Sequence, residues 1–376
     1  MQTGRATTEV IARVAGYVAV ILATKAAPAT FLQEDIEGQV RKKPLNPVPV
    51  RDLAAFDPVP HPRWLAVTRS RIMHIAQLCH AFALAVLLGA GAALGGHRAA
   101  VAAEGDFAGP VDIGGSRHMY LECRGTGGPT VILESGYHDS AQPWTLNDAF
   151  PPAVLIGVAG FAKVCAYDRP GTLLYTDPPR ITDRSSPVPM PRTAAKVVSD
   201  LHTLLTAAQI SGPYILVAHS LGGLFARLYS QTYPEQVRGL VLVDAFPVEL
   251  PAMFGSQWPA YRQVLNNPLP QFANNPEFEQ VDVDASIAEI EKAPLLRRMP
   301  LAVLTKTEPF ARPPNLVGFS FADLERFWPK AAQGLVKLEP DTPHIFATGS
   351  DHYIQVHQPD LVIQSIRLII ERAKQK

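Results

Sequence analysis

The chain has 376 residues, of which 47% are hydrophobic, so it can bury a sizeable core and is not globally disordered. Its 34 Lys and Arg residues balance 34 Asp and Glu residues, which gives a formal net charge of zero. This balance lacks the basic excess typical of nucleic-acid-binding proteins, and we expect no nucleic-acid partner. The length suits one large domain with an appendage, or two domains.

The first hundred residues differ in composition from the rest of the chain. Residues 44–62 contain six prolines, whose spacing excludes a regular helix and predicts an extended linker. Residues 72–96 form an apolar run that is long enough to span a bilayer. Arg69 and Arg71 precede this run, and residues 100–102, Ala-Val-Ala, resemble a signal-peptidase site.

These features divide the chain into three predicted parts. Residues 1–71 form an N-terminal, Pro-rich segment, residues 72–104 a signal or membrane-anchor segment, and residues 105–376 a folded domain. This division predicts that the domain lies outside the cytoplasm, either secreted or associated with a membrane through residues 72–96. A start of translation at Met73 would turn the run into a signal peptide and leave the preceding residues untranslated. The alternative is a buried Ala- and Leu-rich helix in a cytoplasmic protein.

From residue 111 onward, short apolar stretches alternate with amphipathic ones. The pattern predicts strands at residues 117–123, 130–134, 162–167, 214–218, 239–243 and 300–305, and a weaker strand at residues 334–338. It predicts helices at residues 193–209, 221–233 and 359–373. Apolar strands that alternate with helices are typical of an α/β fold, in which a mostly parallel sheet is covered by helices on both faces.

One apolar strand runs directly into a serine and then into a helix. Residues 218–222, Ala-His-Ser-Leu-Gly, form a G-x-S-x-G elbow with alanine in the first position. The turn is sharp and strained, so the residues two before and two after the serine must be small, as Ala218 and Gly222 are. The turn places the Ser220 hydroxyl at the N-terminus of a helix, where the N–H of Leu221 favours a developing oxyanion. The pattern therefore predicts Ser220 as a nucleophile.

Several separate segments together resemble the α/β-hydrolase superfamily. They are residues 131–136, 167–171, 218–223, 239–245 and 350–352. Their order and spacing match that family from about residue 111 to the C-terminus. The resemblance implies an eight-stranded, mostly parallel sheet with helices on both faces and a helical cap inserted at residues 247–298. It also implies a Ser–acid–His triad that needs no cofactor and no metal.

The predicted base lies near the C-terminus. A serine hydroxyl needs a base within hydrogen-bond reach, and the triad order in this family is Ser, acid, His. The candidates are His344, His352 and His357. We predict His352, because it follows the last predicted strand and precedes the terminal helix, which is the family's position for the catalytic histidine. His344 is expected in a turn and His357 at the surface.

Two carboxylates compete for the role of the acid that orients the base. Asp244 ends the apolar stretch at residues 240–244, a place that some superfamily members use. Glu308 follows the strand at residues 300–305, which is the commoner place, but the usual Gly-x-x-Asp pattern is absent there. We favour Asp244 and keep Glu308 as the alternative.

The resemblance also assigns roles to residues around the triad. The N–H of Tyr137, in the loop after residues 130–134, is expected to be the second oxyanion donor. Asp168 and Arg169 are expected to be structural and to pin a loop near the site. Cys123 and Cys165 fall on strands that are neighbours in the family's sheet order, so a disulfide between them is a hypothesis that an extracytoplasmic location would permit.

These observations predict a serine hydrolase that cleaves a carboxylic ester through an acyl-enzyme. The predicted cap contains aromatic side chains that either line an apolar substrate pocket or pack the cap onto the core; they are Phe254, Trp258, Tyr261, Phe272 and Phe278. We therefore expect a small, apolar ester as substrate. Thioesterases, amidases, C–C hydrolases and cofactor-free haloperoxidases share the triad and stay open, as does a non-catalytic ligand-binding relative.

Overall fold

The computed structural model describes residues 105–147, 152–266, 269–272, 274–312 and 318–375. The predicted N-terminal segment, residues 1–71, and the predicted signal or anchor segment, residues 72–104, lie outside the described residues. Among the residues that are described, no helix is both long and apolar enough to cross a membrane. The membrane association assigned to residues 72–96 therefore stays a prediction.

The described residues form ten strands. They are β1 (Phe107–Gly114), β2 (Arg117–Arg124), β3 (Thr130–Glu134), β4 (Val164–Tyr167), β5 (Leu173–Leu174), β6 (Arg180–Ile181), β7 (Tyr214–His219), β8 (Val237–Val243), β9 (Leu301–Lys306) and β10 (His344–Ala347). Eight of them make one sheet in the order β1-β2-β4-β3-β7-β8-β9-β10, and β5 pairs with β6 separately. The pairs β1–β2 and β2–β4 are antiparallel and the other five pairs of the large sheet are parallel. The predicted eight-stranded, mostly parallel sheet is confirmed.

Helices cover both faces of this sheet. They are α1 (Val154–Ala159), α2 (Ala194–Ala207), α3 (Gly222–Thr232), α4 (Leu250–Phe254), α5 (Trp258–Asn266), α6 (Val283–Lys292), α7 (Phe321–Val336), α8 (Ile354–His357) and α9 (Pro359–Lys374). Side chains of α1 and α9 pack on the face that includes Val217 and Val241. Side chains of α2, α3, α6 and α7 pack on the face that includes Leu216 and Leu240. Successive residues of a strand point to opposite faces, which is why β7 and β8 are apolar at nearly every position.

The segment predicted as the cap lies between β8 and β9. Residues 247–298 contain α4, α5 and α6, joined by shorter turns. A second helix-bearing insertion follows β9, because α7 separates β9 from β10. Both insertions leave the sheet at the carboxyl ends of parallel strands, which is where open α/β sheets bind their ligands.

The weak strand predicted at residues 334–338 is wrong. Residues up to Val336 belong to α7, and the last strand of the sheet is β10. His344, which was expected in a turn, is the first residue of this strand. Three apolar residues within five positions do not distinguish a strand from the end of a buried helix. The missed signal lies at the helix start, where the Ser320 side chain accepts a hydrogen bond from the Asp323 N–H at 3.2 Å.

A disulfide joins Cys123 on β2 to Cys165 on β4. The two residues lie directly opposite each other in the antiparallel pair, and their Cα atoms are 4.1 Å apart. The pairing inferred from the order of strands in the family is present in this structure. The bond links residues 42 positions apart, so it constrains the unfolded chain over the segment that includes β3 and α1.

Replacement of both cysteines by alanine should destabilise the domain. Because the cross-link restricts the unfolded chain, the double variant should lose about 2–4 kcal/mol of unfolding free energy. Urea unfolding of the oxidised wild-type protein and of the variant measures this difference. Wild-type protein unfolded with excess reductant is the control and should behave like the variant. Equal stability of the oxidised protein and the variant would contradict the prediction.

Candidate active site

Ser220 lies at the turn between β7 and α3. Its backbone φ is +51°, in the left-handed region that favours glycine, so the turn is strained, as the sequence predicts. The strain is held by neighbouring backbone: the Ser220 N–H donates to Val243 O at 3.2 Å, and Ser220 O accepts from the Phe246 N–H at 2.8 Å. A Cβ on Gly222 would lie 2.5 Å from Ser135 O, so this position admits only glycine.

Three side chains meet at the carboxyl edge of the parallel strands. Ser220 Oγ lies 2.8 Å from His352 Nε2, and His352 Nδ1 lies 2.6 Å from Asp244 Oδ2. Ser220 follows β7, Asp244 follows β8, and His352 follows β10. Parallel strands end at the same edge of a sheet, which explains how residues so far apart in sequence come together.

The Asp244 carboxylate is buried and its other oxygen is occupied. Asp244 Oδ1 accepts hydrogen bonds from the Lys306 N–H and from Trp328 Nε1, both at 3.1 Å. These two donors leave Oδ2 facing His352. A carboxylate can only accept, so the hydrogen of the imidazole lies on Nδ1 and the lone pair of Nε2 faces the Ser220 hydroxyl.

Glu308, the alternative acid, is not brought to His352. Its side chain is exposed, and its carboxylate accepts a hydrogen bond from Thr307 Oγ1 at 3.5 Å. Its backbone is tied elsewhere, because the Glu308 N–H donates to Ser350 O at 3.0 Å. Among the described residues, Asp244 is therefore the carboxylate in contact with the imidazole.

The two other candidate histidines have different partners. His344 lies on β10, and its Nε2 is 2.9 Å from Thr305 Oγ1. His357 ends α8, and its Nε2 is 3.1 Å from Asp351 Oδ1. Neither contact involves Ser220.

Aromatic rings enclose the imidazole of His352. The ring centroids of Phe310 and Trp328 lie 4.8 Å and 5.5 Å from that of His352, and that of His219 lies at 4.6 Å. Phe310 and Trp328 come from the segment after β9, in which the sequence marked Glu308 but neither of these two residues. This enclosure limits the rotation of the imidazole, so its orientation toward Ser220 is set by packing as well as by Asp244.

Two backbone N–H groups that the sequence predicts as oxyanion donors lie beside Ser220. Within the described part of the chain, the N–H groups of Leu221 and Tyr137 donate no hydrogen bond to another protein group. Both residues line the cavity that contains Ser220. Gly136 brings the Tyr137 loop against the elbow, since a Cβ on Gly136 would lie 3.1 Å from Ser220 Cβ. Free N–H groups placed in this way suit a developing oxyanion.

The cavity beside Ser220 has a volume of about 210 Å³ and is mostly apolar. Of the five aromatic residues predicted in the cap, Tyr261 lines this cavity, whereas Phe254 and Trp258 are buried in packing. Most of the remaining apolar wall comes from Phe246, Leu265 and the segment after β9, namely Phe310, Phe319, Phe321, Leu324 and Trp328. The pocket is therefore shaped by both insertions rather than by the predicted cap alone.

Comparison with known proteins agrees with this arrangement. The model of the Alpha/beta hydrolase family matches residues 131–365, which include Ser220, Asp244 and His352. The chain belongs to the alpha/beta hydrolase family.

This alpha/beta hydrolase also resembles two curated proteins whose names describe them as uncharacterized. It is 24% identical over 243 residues to the protein YqjL of Bacillus subtilis, which covers 64% of this chain and 82% of that protein. It is 28% identical over 152 residues to a protein of Schizosaccharomyces pombe, which covers 35% of this chain. The chain spans only 26% of the length of that S. pombe protein.

Among solved structures, the alpha/beta hydrolase resembles a thermophilic esterase from Thermogutta terrifontis and the carboxylesterase CesB of Bacillus subtilis. The first is 16% identical with a TM-score of 0.48, over 72% of this chain and 99% of the other. The second is 14% identical with a TM-score of 0.45, over 71% of this chain and 92% of the other. Identities this low say nothing about the substrate of this chain.

Arg169 is a buried cation beneath the site of this alpha/beta hydrolase. Its guanidinium donates to Glu134 Oε1 at 2.6 Å and to Glu279 Oε1 at 2.7 Å. It also donates to Ser135 O at 2.9 Å and to Gly136 O at 2.6 Å. Burial raises the pKa of the Glu134 carboxyl, and the charge of Arg169 counteracts that rise. Arg169 thus pins the loop that carries Tyr137, as the sequence predicts, and joins it to Glu279 in the cap, which no motif marked.

Replacement of Arg169 by methionine should destabilise the alpha/beta hydrolase strongly. The substitution leaves Glu134 and Glu279 buried without a cation, which should cost about 3–5 kcal/mol of unfolding free energy. Urea unfolding measures this loss. Arg180→Met is the matched control, because Arg180 and Asp183 form an exposed pair, and it should leave the unfolding midpoint unchanged. Equal midpoints for Arg169→Met and the wild type would contradict a stabilising role.

Proposed function

We propose that this alpha/beta hydrolase is a serine hydrolase that cleaves a carboxylic ester through an acyl-enzyme. The observation that supports this proposal most directly is the continuous contact from Ser220 Oγ through His352 to Asp244, at 2.8 Å and 2.6 Å. In this order, the imidazole can accept the proton of the serine hydroxyl, and the buried carboxylate stabilises the charge that results.

In the proposed reaction, Ser220 Oγ attacks the ester carbonyl while His352 Nε2 takes the hydroxyl proton. Asp244 stabilises the imidazolium that forms. The N–H groups of Leu221 and Tyr137 stabilise the negative charge on the carbonyl oxygen of the tetrahedral intermediate. His352 then gives its proton to the leaving alcohol, which leaves Ser220 acylated. Water, activated by His352, attacks the acyl group and regenerates the serine.

The size and lining of the cavity support an apolar acyl group. An apolar cavity of roughly 150 Å³ holds a benzene ring, so the 210 Å³ beside Ser220 suits an acyl chain of roughly six to eight carbon atoms. The wall residues Phe246, Leu324 and Trp328 offer no charge to a polar acyl group. We therefore propose esters of medium-length, apolar acids as the substrate class.

We also propose that the domain works outside the cytoplasm. The disulfide between Cys123 and Cys165 supports this location, because disulfides persist in oxidising compartments and are rare in the cytoplasm. The apolar run at residues 72–96 is the segment that would direct it there.

Covalent labelling tests the nucleophile. A fluorophosphonate added to the full-length protein should form an adduct on Ser220, mapped by peptide mass spectrometry, and Ser220→Ala should form none. Loss of the base or its carboxylate in His352→Ala or Asp244→Ala should slow labelling by at least about a hundredfold. Glu308→Gln is the matched control for the acid and should label at the wild-type rate. A folded wild-type protein that forms no adduct on Ser220 would contradict the proposed function.

A series of p-nitrophenyl esters tests the acyl group. The value of kcat/KM should be highest for acids of roughly six to eight carbons, because longer chains exceed the cavity and shorter ones bury less apolar surface. Leu324→Trp narrows the cavity, so the highest kcat/KM should move toward shorter acyl chains. A hexanoyl thioester and a hexanoyl anilide are assayed in parallel. A higher kcat/KM for either of them than for the ester would indicate a thioesterase or an amidase instead. A maximum at the acetate would contradict the acyl-chain assignment.

A further inference from the structure

His219, the residue before the nucleophile, connects the elbow to the segment that carries the base. Its side chain is buried, and its Nε2 lies 2.9 Å from the backbone oxygen of His352. A carbonyl oxygen only accepts, so the hydrogen of the His219 ring lies on Nε2. This bond holds the backbone of His352 against the end of β7, independently of the contacts that the His352 side chain makes.

The opposite nitrogen of the same ring faces a second buried group. His219 Nδ1 lies 3.8 Å from Asp139 Oδ2. Neither of these two atoms has a hydrogen-bond partner among the described residues. Gly136 lies beside both, because a Cβ there would be 2.7 Å from His219 Nδ1 and 3.0 Å from Asp139 Oδ2. Buried polar atoms without partners are rare in proteins, so such a pair next to a nucleophile calls for an explanation.

The protonation of the two groups is complementary. Burial lowers the pKa of His219 well below its usual value, so the ring is neutral and Nδ1 carries a lone pair. Burial raises the pKa of Asp139 to about 6, and its Oδ1 accepts a hydrogen bond from the Tyr175 hydroxyl. The proton that the carboxyl carries below about pH 6 belongs on Oδ2, which faces the lone pair of Nδ1. A hydrogen bond between them requires the two atoms to move about 1 Å closer.

Direct contact of this pair with a substrate does not fit its burial. His219 Nδ1 and Asp139 Oδ2 have almost no accessible surface, although other atoms of both residues line the cavity. The charged and titratable groups that face Asp139 from the surrounding elements are Arg169, Tyr175, His219, Glu279, His352 and Tyr353. Among these, His219 is the group that bonds to the backbone oxygen of His352, while Tyr353 follows His352 in the chain.

We propose that Asp139 and His219 form a positioning pair that fixes the backbone of His352 and so holds its imidazole opposite Ser220. The proton on Asp139 Oδ2 bonds to His219 Nδ1, which keeps the hydrogen of the ring on Nε2 and directed at the carbonyl of His352. Loss of that proton leaves a carboxylate facing a lone pair, and the tie to His352 loosens. The inference rests on the proposed function, in which His352 is the base.

Variants at residue 219 test the tie to the base. His219→Leu removes the donor, and kcat on a p-nitrophenyl ester should fall about 10- to 100-fold, while KM and the unfolding midpoint stay near those of the wild type. His219→Gln keeps an N–H donor in reach of the carbonyl and should recover most of the lost kcat. Equal kcat for the leucine variant and the wild type, or a loss of kcat that follows a loss of folded protein, would overturn the proposal.

Variants at residue 139 test the pair and do not depend on the folding of the leucine variant. Asp139→Asn accepts from Tyr175 with its oxygen and donates to His219 with its amide, so it imitates the protonated carboxyl at every pH. Asp139→Ala lacks the donor and should have a lower kcat than the asparagine variant. The ratio of wild-type kcat to that of Asp139→Asn should fall as the pH rises through about 6. A ratio that is independent of pH would overturn the assignment of the proton.

Wild type and Ser220→Ala in the same assay separate the two proposals. Turnover by the wild type that disappears in Ser220→Ala, together with unaffected variants at residues 139 and 219, would overturn the positioning pair alone. A wild-type protein that neither turns over the ester nor labels at Ser220 would overturn the proposed function, and the positioning pair with it.

Discussion

Both oxygens of the Asp244 carboxylate are in use, and through them four parts of the chain are joined. Oδ2 faces His352 in the loop after β10, and Oδ1 accepts from the end of β9 and from Trp328 of α7, while the residue itself follows β8. A buried carboxylate is costly unless each lone pair that faces the protein has a donor, so these contacts constrain one another. The placement of the imidazole opposite Ser220 depends on this arrangement, because a rotated carboxylate would no longer hold Nδ1.

A second buried charge, on Arg169, supports the other side of the site. Its guanidinium connects the end of β3, the loop that carries Tyr137 and the cap residue Glu279. Desolvation of an arginine and two carboxylates is expensive, and the ion pairs together with the hydrogen bonds to backbone oxygens offset it. The loop and the cap are thus held by one charge network, so a movement of the cap would disturb the proposed oxyanion donor as well as the pocket wall.

The sequence predicted the parts of the site that depend on local patterns. The strand, the serine and the helix of the elbow are consecutive, and His352 is marked by its place between a strand and the terminal helix. The sequence favoured Asp244 without excluding Glu308, since both follow apolar strands and only their distance from His352 in space separates them. Trp328 and Glu279 were missed because their partners lie 84 and 110 residues away, and no motif records such a pairing. The end of α7 was assigned to a strand because a short apolar run has no period of its own.

Trp328 both binds Asp244 and lines the pocket, and this limits how the pocket can change in evolution. Its indole N–H bonds to Asp244, while its ring forms part of the cavity wall beside the imidazole. A substitution there that reshapes the pocket also deprives the carboxylate of a donor. Phe321 and Leu324 line the same cavity one or two turns earlier on α7 without touching the carboxylate. Divergence of substrate preference among close relatives should therefore accumulate at the start of this helix, while the tryptophan stays invariant.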